Sequence, residues 1–495
     1  MSQENQSNKQ RLIRHVNRQQ MSWRAVDVER LIGEDHPARA IWALVGRFDL
    51  RRFYDCIESS EQEGGRPAFD PQLLISLWVY AYSQGISSAR EVARRCEFDP
   101  AFQWLTGLQE VNYHTMADFR VAKQKELDEL FTQVLAALSK EGLVPLNQVM
   151  QDGTKIRAAA SPRSMQSESS IQEHWERARK RVAEMGDPRK DETNPRAQQA
   201  RLRAQRERQE RLDQAMEELE KLHKLKAARS SSKWVSISEP EARKMKQGDG
   251  SLALSYNAQI SADAAHGLIV GVGVTQAASD WDELLPAMER LEQRTGRKPQ
   301  QIVADAGYTS RAVIEEMAER KMDFLGSMPR EDASTGKTAP NRLPPNAFVY
   351  QPEANRYLCP GGKLLRPQGR HNKKKPGVVA YRYEAKAEDC HGCAFKPQCC
   401  PGNQQRGRGL LRLEESAAVL AFRKKMASTE AQKQYSRRGR VVEFCHAWIK
   451  SKLGLRQFHV RGLMKVRAEL LWACLTYNLQ HWIRLGKLKT SPALG

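Results

Sequence analysis

The chain has 495 residues, of which 40% are hydrophobic, and it carries 80 Lys and Arg against 59 Asp and Glu, a formal net charge of +21. That length can bury a large core in roughly two to four domains, and the positive balance points to a polyanionic partner, nucleic acid before an anionic membrane. No apolar run reaches the roughly 18 residues of a membrane span; stretches 73–82 and 470–483 are short or interrupted by polar residues and read as buried core helices. A polar N-terminus with Lys9, Arg11 and Arg14 and no apolar leader predicts a cytoplasmic, nucleoid-associated protein with no membrane partner.

Residues 1–145 are expected to form a helical N-terminal domain, compact from about residue 22. Leu73, Leu74, Leu77, Trp78, Tyr80 and Ala81 recur at helical spacing, and Asp70-Pro71, Ser87-Ser88, Asp99-Pro100 and Gly107 supply starts and stops. Short helices with polar turns suit a helix-turn-helix type DNA-binding module, and equally a dimerising or structural bundle.

From residue 146 the pattern turns to strand. Gln148 to Gly153 runs apolar-rich into an acid followed by a turn residue, which predicts Asp152 at or near the end of a first strand within 146–160. Residues 161–235 read as a charged helical insertion, with helices over 173–185 and 201–225 and turns at Asp187-Pro188 and Asn194-Pro195. Leu212, Met216, Leu219, Leu222 and Leu225 form a narrow apolar stripe, the mark of a helical hairpin or short coiled coil.

Strands resume over 236–330. Leu252, Leu254, Tyr256, Ala258 and Ile260 alternate with polar residues, Ala265-His266-Gly267 turns, and Leu268, Val270, Val272 and Val274 alternate again, predicting a hairpin. A helix is expected over 281–295 with Asp280 as its N-cap, then a strand over 301–304 ending in Asp305, a helix over 310–321 and a strand over 323–328. A mixed α/β sheet with helices packed on it is the simplest architecture for that order.

Residues 331–430 form a basic, cysteine-bearing insertion, and 356–386 alone hold nine Lys and Arg against one acid, which predicts contact with DNA backbone. Nine cysteines, five of them between Cys359 and Cys400, argue for reduced thiols rather than a disulfide framework. Cys359, Cys390, Cys393 and Cys399, with Cys400 or His391 as substitutes, would supply four ligands to Zn²⁺, and a metal would help fold a segment with little apolar content. Unliganded reduced thiols are the plain alternative. Cys56, Cys96, Cys445 and Cys474 read as small core residues.

Residues 431–486 hold a basic helix followed by further helix, and 487–495 a tail. Between Lys433 and Arg467 a single acid, Glu443, stands among ten cations. On a helix Glu443 and Lys450 share a face and Arg440 lies one turn before Glu443. A lone carboxylate beside phosphate-seeking cations reads as a metal-binding group, against the plainer reading of a solvated helix with one ion pair. Two strand-end acids and a third acid on a later helix together make a site for Mg²⁺ at a sheet edge, with positions open for phosphate.

The motifs Asp152-Gly153-Thr154-Lys155, Ala304-Asp305-Ala306-Gly307-Tyr308, and Glu443 with Lys450 resemble the Asp-Asp-Glu motif of RNase H-like transposases from bacterial insertion sequences. Tyr435, Arg438, Glu443 and Lys450 resemble the Tyr-Arg-Glu-Lys signature of one large branch, except that four residues separate Arg438 from Glu443 where that branch usually has three, which leaves Arg437 and Arg440 as competitors for the arginine role. Gly65-Arg66-Pro67, Asp70-Pro71, Ser88-Ala89-Arg90, Tyr256-Asn257-Ala258-Gln259, Arg461-Gly462 and Asn478 are similar to the insertion-sequence eleven-eighty-two transposase family. The segment Ser238 to Arg243 also resembles that family, with Glu239 where Asp is more usual.

The resemblance implies an α/β protein: an RNase H-like mixed-sheet catalytic core with a helical N-terminal domain that binds element ends and the two insertions. Asp152, Asp305 and Glu443 would bind two Mg²⁺ or Mn²⁺ ions for hydrolysis at the element ends and attack of the freed 3′-hydroxyls on target DNA, with Lys450, Arg438, Arg440 and Tyr435 on DNA phosphate. Its partner would be double-stranded DNA, bound by a homodimer or higher oligomer. The rivals are an RNase H-fold nuclease without strand transfer and a non-catalytic DNA-binding protein; Asp263, Asp280 and Asp282 are competing carboxylates.

Overall fold

A computed structural model describes residues 19, 21, 25–57, 67–185, 195–224, 234–328, 343–371, 380–400 and 406–486. Gly65, Arg66, the Asp187-Pro188 turn, Asn194, Leu225 and the 487–495 tail lie outside them.

The N-terminal region is helical: α1 (Pro37–Val45), α2 (Arg51–Tyr54), α3 (Pro71–Ser83), α4 (Ala89–Phe98), α5 (Pro100–Thr106), α6 (Tyr113–Ala122) and α7 (Gln124–Lys140). Asp70 and Asp99 each accept a backbone N–H at the start of α3 and α5, with proline in the first turn, where its missing N–H costs nothing. Helix α3 is buried on almost every side, as its near-continuous apolar sequence predicts.

The central sheet begins with β1 (Gln148–Arg157). A two-stranded ribbon, β2 (Met165–Ser167) with β3 (Trp234–Ser236), stands at the base of two packed helices, α8 (Glu168–Met185) and α9 (Pro195–Lys224). Leu212 and Leu219 of the predicted stripe are buried there against Ile171 and Ala178. Then follow β4 (Arg243–Lys246), β5 (Leu252–Asp263), β6 (Ile269–Thr275), α10 (Leu284–Thr295), β7 (Gln301–Ala304), α11 (Arg311–Glu319) and β8 (Asp323–Leu325). Strand β5 is antiparallel to β1, β4 and β6, whereas β1, β7 and β8 run parallel in the order β5-β1-β7-β8. This mixed sheet with a helical N-terminal region fits an RNase H-like fold.

Three expectations need correction. Asp152 is not at a strand end: β5 is long enough to pair β1 from Val149↔Asp263 through Arg157↔Ser255, so Asp152 lies mid-strand. Asp280 does not cap α10, which starts later, at Leu284, behind Glu283; the Asp280 carbonyl instead accepts the Glu283 N–H in a preceding turn. The alternation read in β5 also misleads, because both of its faces are buried from Leu254 to Asp263. Its polar residues Asn257, Gln259 and Ser261 therefore need partners inside the protein.

A second, antiparallel sheet comprises β9 (Val349–Gln351), β10 (Arg356–Leu358), β11 (Leu364–His371), β12 (Ala380–Ala385) and β13 (Gly409–Leu413), with α12 (Ala387–His391) and α13 (Lys396–Cys399) between the last two strands. It has more apolar material than its composition implied, a cluster of Phe348, Leu365, Tyr383, Ala385, Cys399 and Leu410. Helices α14 (Ala417–Met426) and α15 (Thr429–Ser436) lead to π-helical turns at Gly439–Glu443 and Trp448–Lys452 that flank α16 (Phe444–Ala447). The last helix, α17 (Leu463–Arg484), packs on α3, α7 and β6, fastening the helical region to the sheet. Cys96, Cys445 and Cys474 are buried as expected, but Cys56 is only half-buried, its thiol on the Arg52 carbonyl.

Candidate active site

The parallel register pairs Gln151 with Ala304, so one residue further along Asp152, still inside β1, lies beside Asp305, the first residue past the end of β7. Adjacent strands lie about 4.8 Å apart, which brings the two residues close together where β7 ends. Asp305 is tied locally: its Oδ1 accepts the Gly307 N–H at 2.8 Å, and its carbonyl accepts the Thr309 hydroxyl at 2.8 Å.

Strand alternation sends Asp152 and Thr154 toward the turns around α16, and Gly153 and Lys155 toward the opposite face. On the first face Arg438 Nη1 donates to Asp152 Oδ2 at 3.0 Å, Lys450 Nζ donates to Thr154 Oγ1 at 2.6 Å, and His446 Nε2 stands 3.8 Å from Asp152 Oδ2. Tyr435 is half-buried within electrostatic reach of Arg438 and Asp305. The structure therefore singles out Arg438 from its neighbours, Arg437 and Arg440 being exposed. Glu443 is exposed too, its carboxylate lying back over Gly439, where an added Cβ would come within 3.2 Å of Oε1.

On the other face Asp280 Oδ1 accepts from Asn257 Nδ2 at 2.6 Å and Gln259 Nε2 at 2.7 Å, and Lys155 Nζ lies 3.3 Å away. Gln259 Oε1 in turn accepts from Gln151 Nε2 at 2.8 Å and Tyr308 OH at 2.5 Å. These contacts pair the Gln259 amide and the Asn257 Nδ2 group, leaving Asn257 Oδ1 buried without a partner, and Asp280 has room to make them only because residue 153 has no Cβ. Glycine at 153 thus answers a close approach, not the turn expected from the sequence.

Electrostatics follow from this crowding. Burial, with Asp305 and Asp280 adding negative charge, pushes the Asp152 carboxyl up to about 6 although Arg438 opposes it. Burial first, then Lys450 and Arg438, lowers His446 to about 3, so its imidazole is neutral. Burial likewise lowers Lys450, with Arg456 and Lys155 adding to the effect.

Among the described residues no group of three or more His, Cys, Asp and Glu is gathered closely enough to hold a metal ion. The donor chemistry of the sheet end nevertheless fits a divalent cation: carboxylates at Asp152 and Asp305, and a buried imidazole with neither nitrogen hydrogen-bonded. Two of the other acids have structural work, and the third faces solvent. Asp263 accepts the N–H groups of Leu146 and Ala265, Asp282 is exposed, and Glu469 is fully buried on the His459 N–H and beside Arg120.

In the second sheet Cys359, Cys390, Cys393, Cys399 and Cys400 line one cavity of about 20 Å³, with Gly361 leaving space beside the Cys393 and Cys359 thiols. Burial raises Cys390, and raises Cys399 to about 11. Cys400 lines this cavity and His391 does not.

Comparison with known families now bears on the site. Residues 358–483 match the model of a transposase DDE domain, and residues 26–122 match the model of a transposase domain, DUF772. Together they make the chain a transposase of the DDE type, an enzyme class whose partner is DNA. Glu443, Lys450, Arg438, Tyr435 and the cysteines fall inside the first match, Asp152 and Asp305 outside both. Comparison with curated proteins gave no match. Among the described residues no helix is long and apolar enough to cross a membrane.

Sequence reasoning missed His446 and the face occupied by Asp280. For His446 a signal existed: on a helix it lies one turn after Glu443 and one before Lys450.

Proposed function

We propose that the chain is the transposase of a bacterial insertion sequence related to the eleven-eighty-two family, which binds the terminal inverted repeats of its own element, cleaves the ends and joins the 3′-hydroxyls to target DNA. The observation that carries this reading is the in-register placement of Asp152 beside Asp305 with Arg438 and Lys450 on the same face, in a chain of the DDE type.

Asp152, Asp305 and Glu443 would hold Mg²⁺ or Mn²⁺. When bound, such ions polarise the phosphate, activate water or the freed 3′-hydroxyl and stabilise the leaving oxygen. Lys450 anchors a phosphate beside the scissile bond from its seat on Thr154, and Arg438 with Tyr435 orients the next. Arg440, exposed one turn away, contacts the backbone outside the site. The helical region ahead of residue 146 recognises the repeats, the basic second sheet follows the DNA backbone, and the thiol cavity takes one Zn²⁺. Two element ends are handled by a homodimer or higher oligomer at the nucleoid.

Cleavage of a labelled duplex carrying the element's terminal repeat, with Mg²⁺ or Mn²⁺, tests the reading alongside binding in EDTA. Asp152→Ala, Asp305→Ala and Glu443→Ala should each abolish nicking and joining while metal-free DNA affinity stays equal or rises, because three carboxylates beside phosphate repel it. Cleavage by Glu443→Ala at the wild-type rate would remove that residue from the triad. Products cut but never joined to target would leave a nuclease.

A further inference from the structure

His446 is 8% exposed, and neither of its ring nitrogens has a hydrogen-bond partner. Leaving a buried polar group unsatisfied costs about 1–3 kcal/mol, so a histidine is a poor choice for this position on packing grounds alone. The ring is aimed at the site: Nε2 stands 3.8 Å from Asp152 Oδ2, too far for a hydrogen bond, and the same oxygen accepts from Arg438 at 3.0 Å. A positive charge already sits against this carboxylate, on the guanidinium.

We infer that His446 is a nitrogen ligand of the divalent metal held at Asp152, giving this active site a mixed imidazole and carboxylate set in place of an all-oxygen one. The inference rests on the proposed carboxylate site. Two ligands at right angles on one cation, each about 2.1 Å from it, stand about 3 Å apart, so the observed separation closes with a shift of under about 1 Å. Arg438 has to turn off Asp152 when the ion arrives, and the incoming phosphate offers its guanidinium a replacement partner. The charged groups facing the ring are Lys450 and Arg438 from its own helical segment and Lys155 and Asp280 from across the sheet, three cations against one carboxylate.

The consequence is metal selectivity. Mg²⁺ prefers oxygen ligands in near-ideal octahedral geometry, whereas Mn²⁺ accepts imidazole more readily, so this site should favour Mn²⁺ over Mg²⁺ beyond what carboxylates give alone. The chain would then be a Mn²⁺-preferring transposase, and His446→Phe would return it toward Mg²⁺.

Electron spin-echo spectroscopy of the full-length protein loaded with Mn²⁺ reads ligation without any reaction. The expected result is nitrogen modulation from one coordinated imidazole, lost in His446→Phe and His446→Gln, together with Mn²⁺ affinity weakened by about 10- to 100-fold and Mg²⁺ affinity changed by far less. Mn²⁺ bound without nitrogen modulation, but released by Asp152→Asn, overturns the His446 assignment and leaves the carboxylate site standing. Mn²⁺ binding indifferent to Asp152→Asn and Asp305→Asn overturns both. Should the variants fail to fold, the wild-type spectrum alone decides.

Discussion

Arg438 holds Asp152: its guanidinium donates to Oδ2 at 3.0 Å while the Gly153 N–H donates to Oδ1 at 2.9 Å, so each oxygen of the first carboxylate of the site accepts one hydrogen bond. Asp305 and Asp280 add their charge nearby; Arg438 offsets Asp152 and Asp305, and Lys155 pairs with Asp280. Arg438→Ala should therefore have two separable effects. Mn²⁺ binding by the DNA-free protein should tighten, because a competing cation is gone. Cleavage should fall by about 10- to 100-fold through lost phosphate positioning. Arg440→Ala, at an exposed position, should change cleavage by less than about 3-fold. Calorimetric titration and single-turnover cleavage read the two effects, and equal losses in the two variants would reassign the arginine role.

The thiol cavity gives a second prediction. Five cysteines around one small space could offer four thiols to a tetrahedral site, and because burial pushes Cys399 up to about 11, a bound Zn²⁺ would have to displace its proton. Purified protein should carry about one zinc per chain. Cys390→Ser with Cys393→Ser should lower that content to near zero, and an unchanged zinc content would place the metal elsewhere.

Much of this arrangement is legible in the sequence because it rests on short-range signals. Asp70-Pro71 and Asp99-Pro100 announce helix starts through backbone chemistry that needs no tertiary context, and the run from Gln301 into Asp305 ends where strand β7 ends. The mid-strand place of Asp152 is not legible in the sequence, because nothing local to β1 tells how far a partner more than a hundred residues away will pair with it. The role of Asp280 is hidden for the same reason: its partners Asn257, Gln259 and Lys155 come from two strands distant in sequence. Polar residues alternating in β5 look solvated in sequence, and only the assembled sheet shows them turned inward to serve a carboxylate.

A pH dependence of stability is expected at Glu239, which is 1% exposed beside Tyr256 and pushed up to about 7 by burial. A carboxyl whose folded-state value is raised stabilises the fold fully below its unfolded value near 4.5, and that contribution disappears as pH rises through about 7. Ionised Glu239 thus weighs against folding at pH 8, by up to about 3 kcal/mol. Glu239→Gln should raise the thermal midpoint at pH 8 by several degrees and change little at pH 5. A difference of the same size at both values would show that the effect is packing and not charge.

Gly153 provides the most direct test of how the two faces of β1 cooperate. A Cβ at this position would collide with Asp280 Oδ1 and lie 2.6 Å from Gln259 Nε2, groups held by Asn257, Lys155 and Tyr308. Gly153→Ala must therefore push Asp280 and its turn away from the sheet. The φ angle at 153 is not in the left-handed region, so the cost comes from overpacking, about 1–3 kcal/mol, and the chain should still fold. Asp152 keeps its place in the backbone, but the charge and hydrogen bonds around it shift, and a displacement near 1 Å in a phosphoryl-transfer site costs on the order of 100-fold. Gly153→Ala should thus retain DNA binding in EDTA and a cooperative unfolding transition while losing about 100-fold in cleavage. Pairing it with Asp280→Ala, which removes the collision, should restore stability; whether cleavage returns with it separates the two roles open to Asp280. Recovery would mean that only the clash mattered, and continued loss would make the Asp280 carboxylate itself necessary for positioning Lys155.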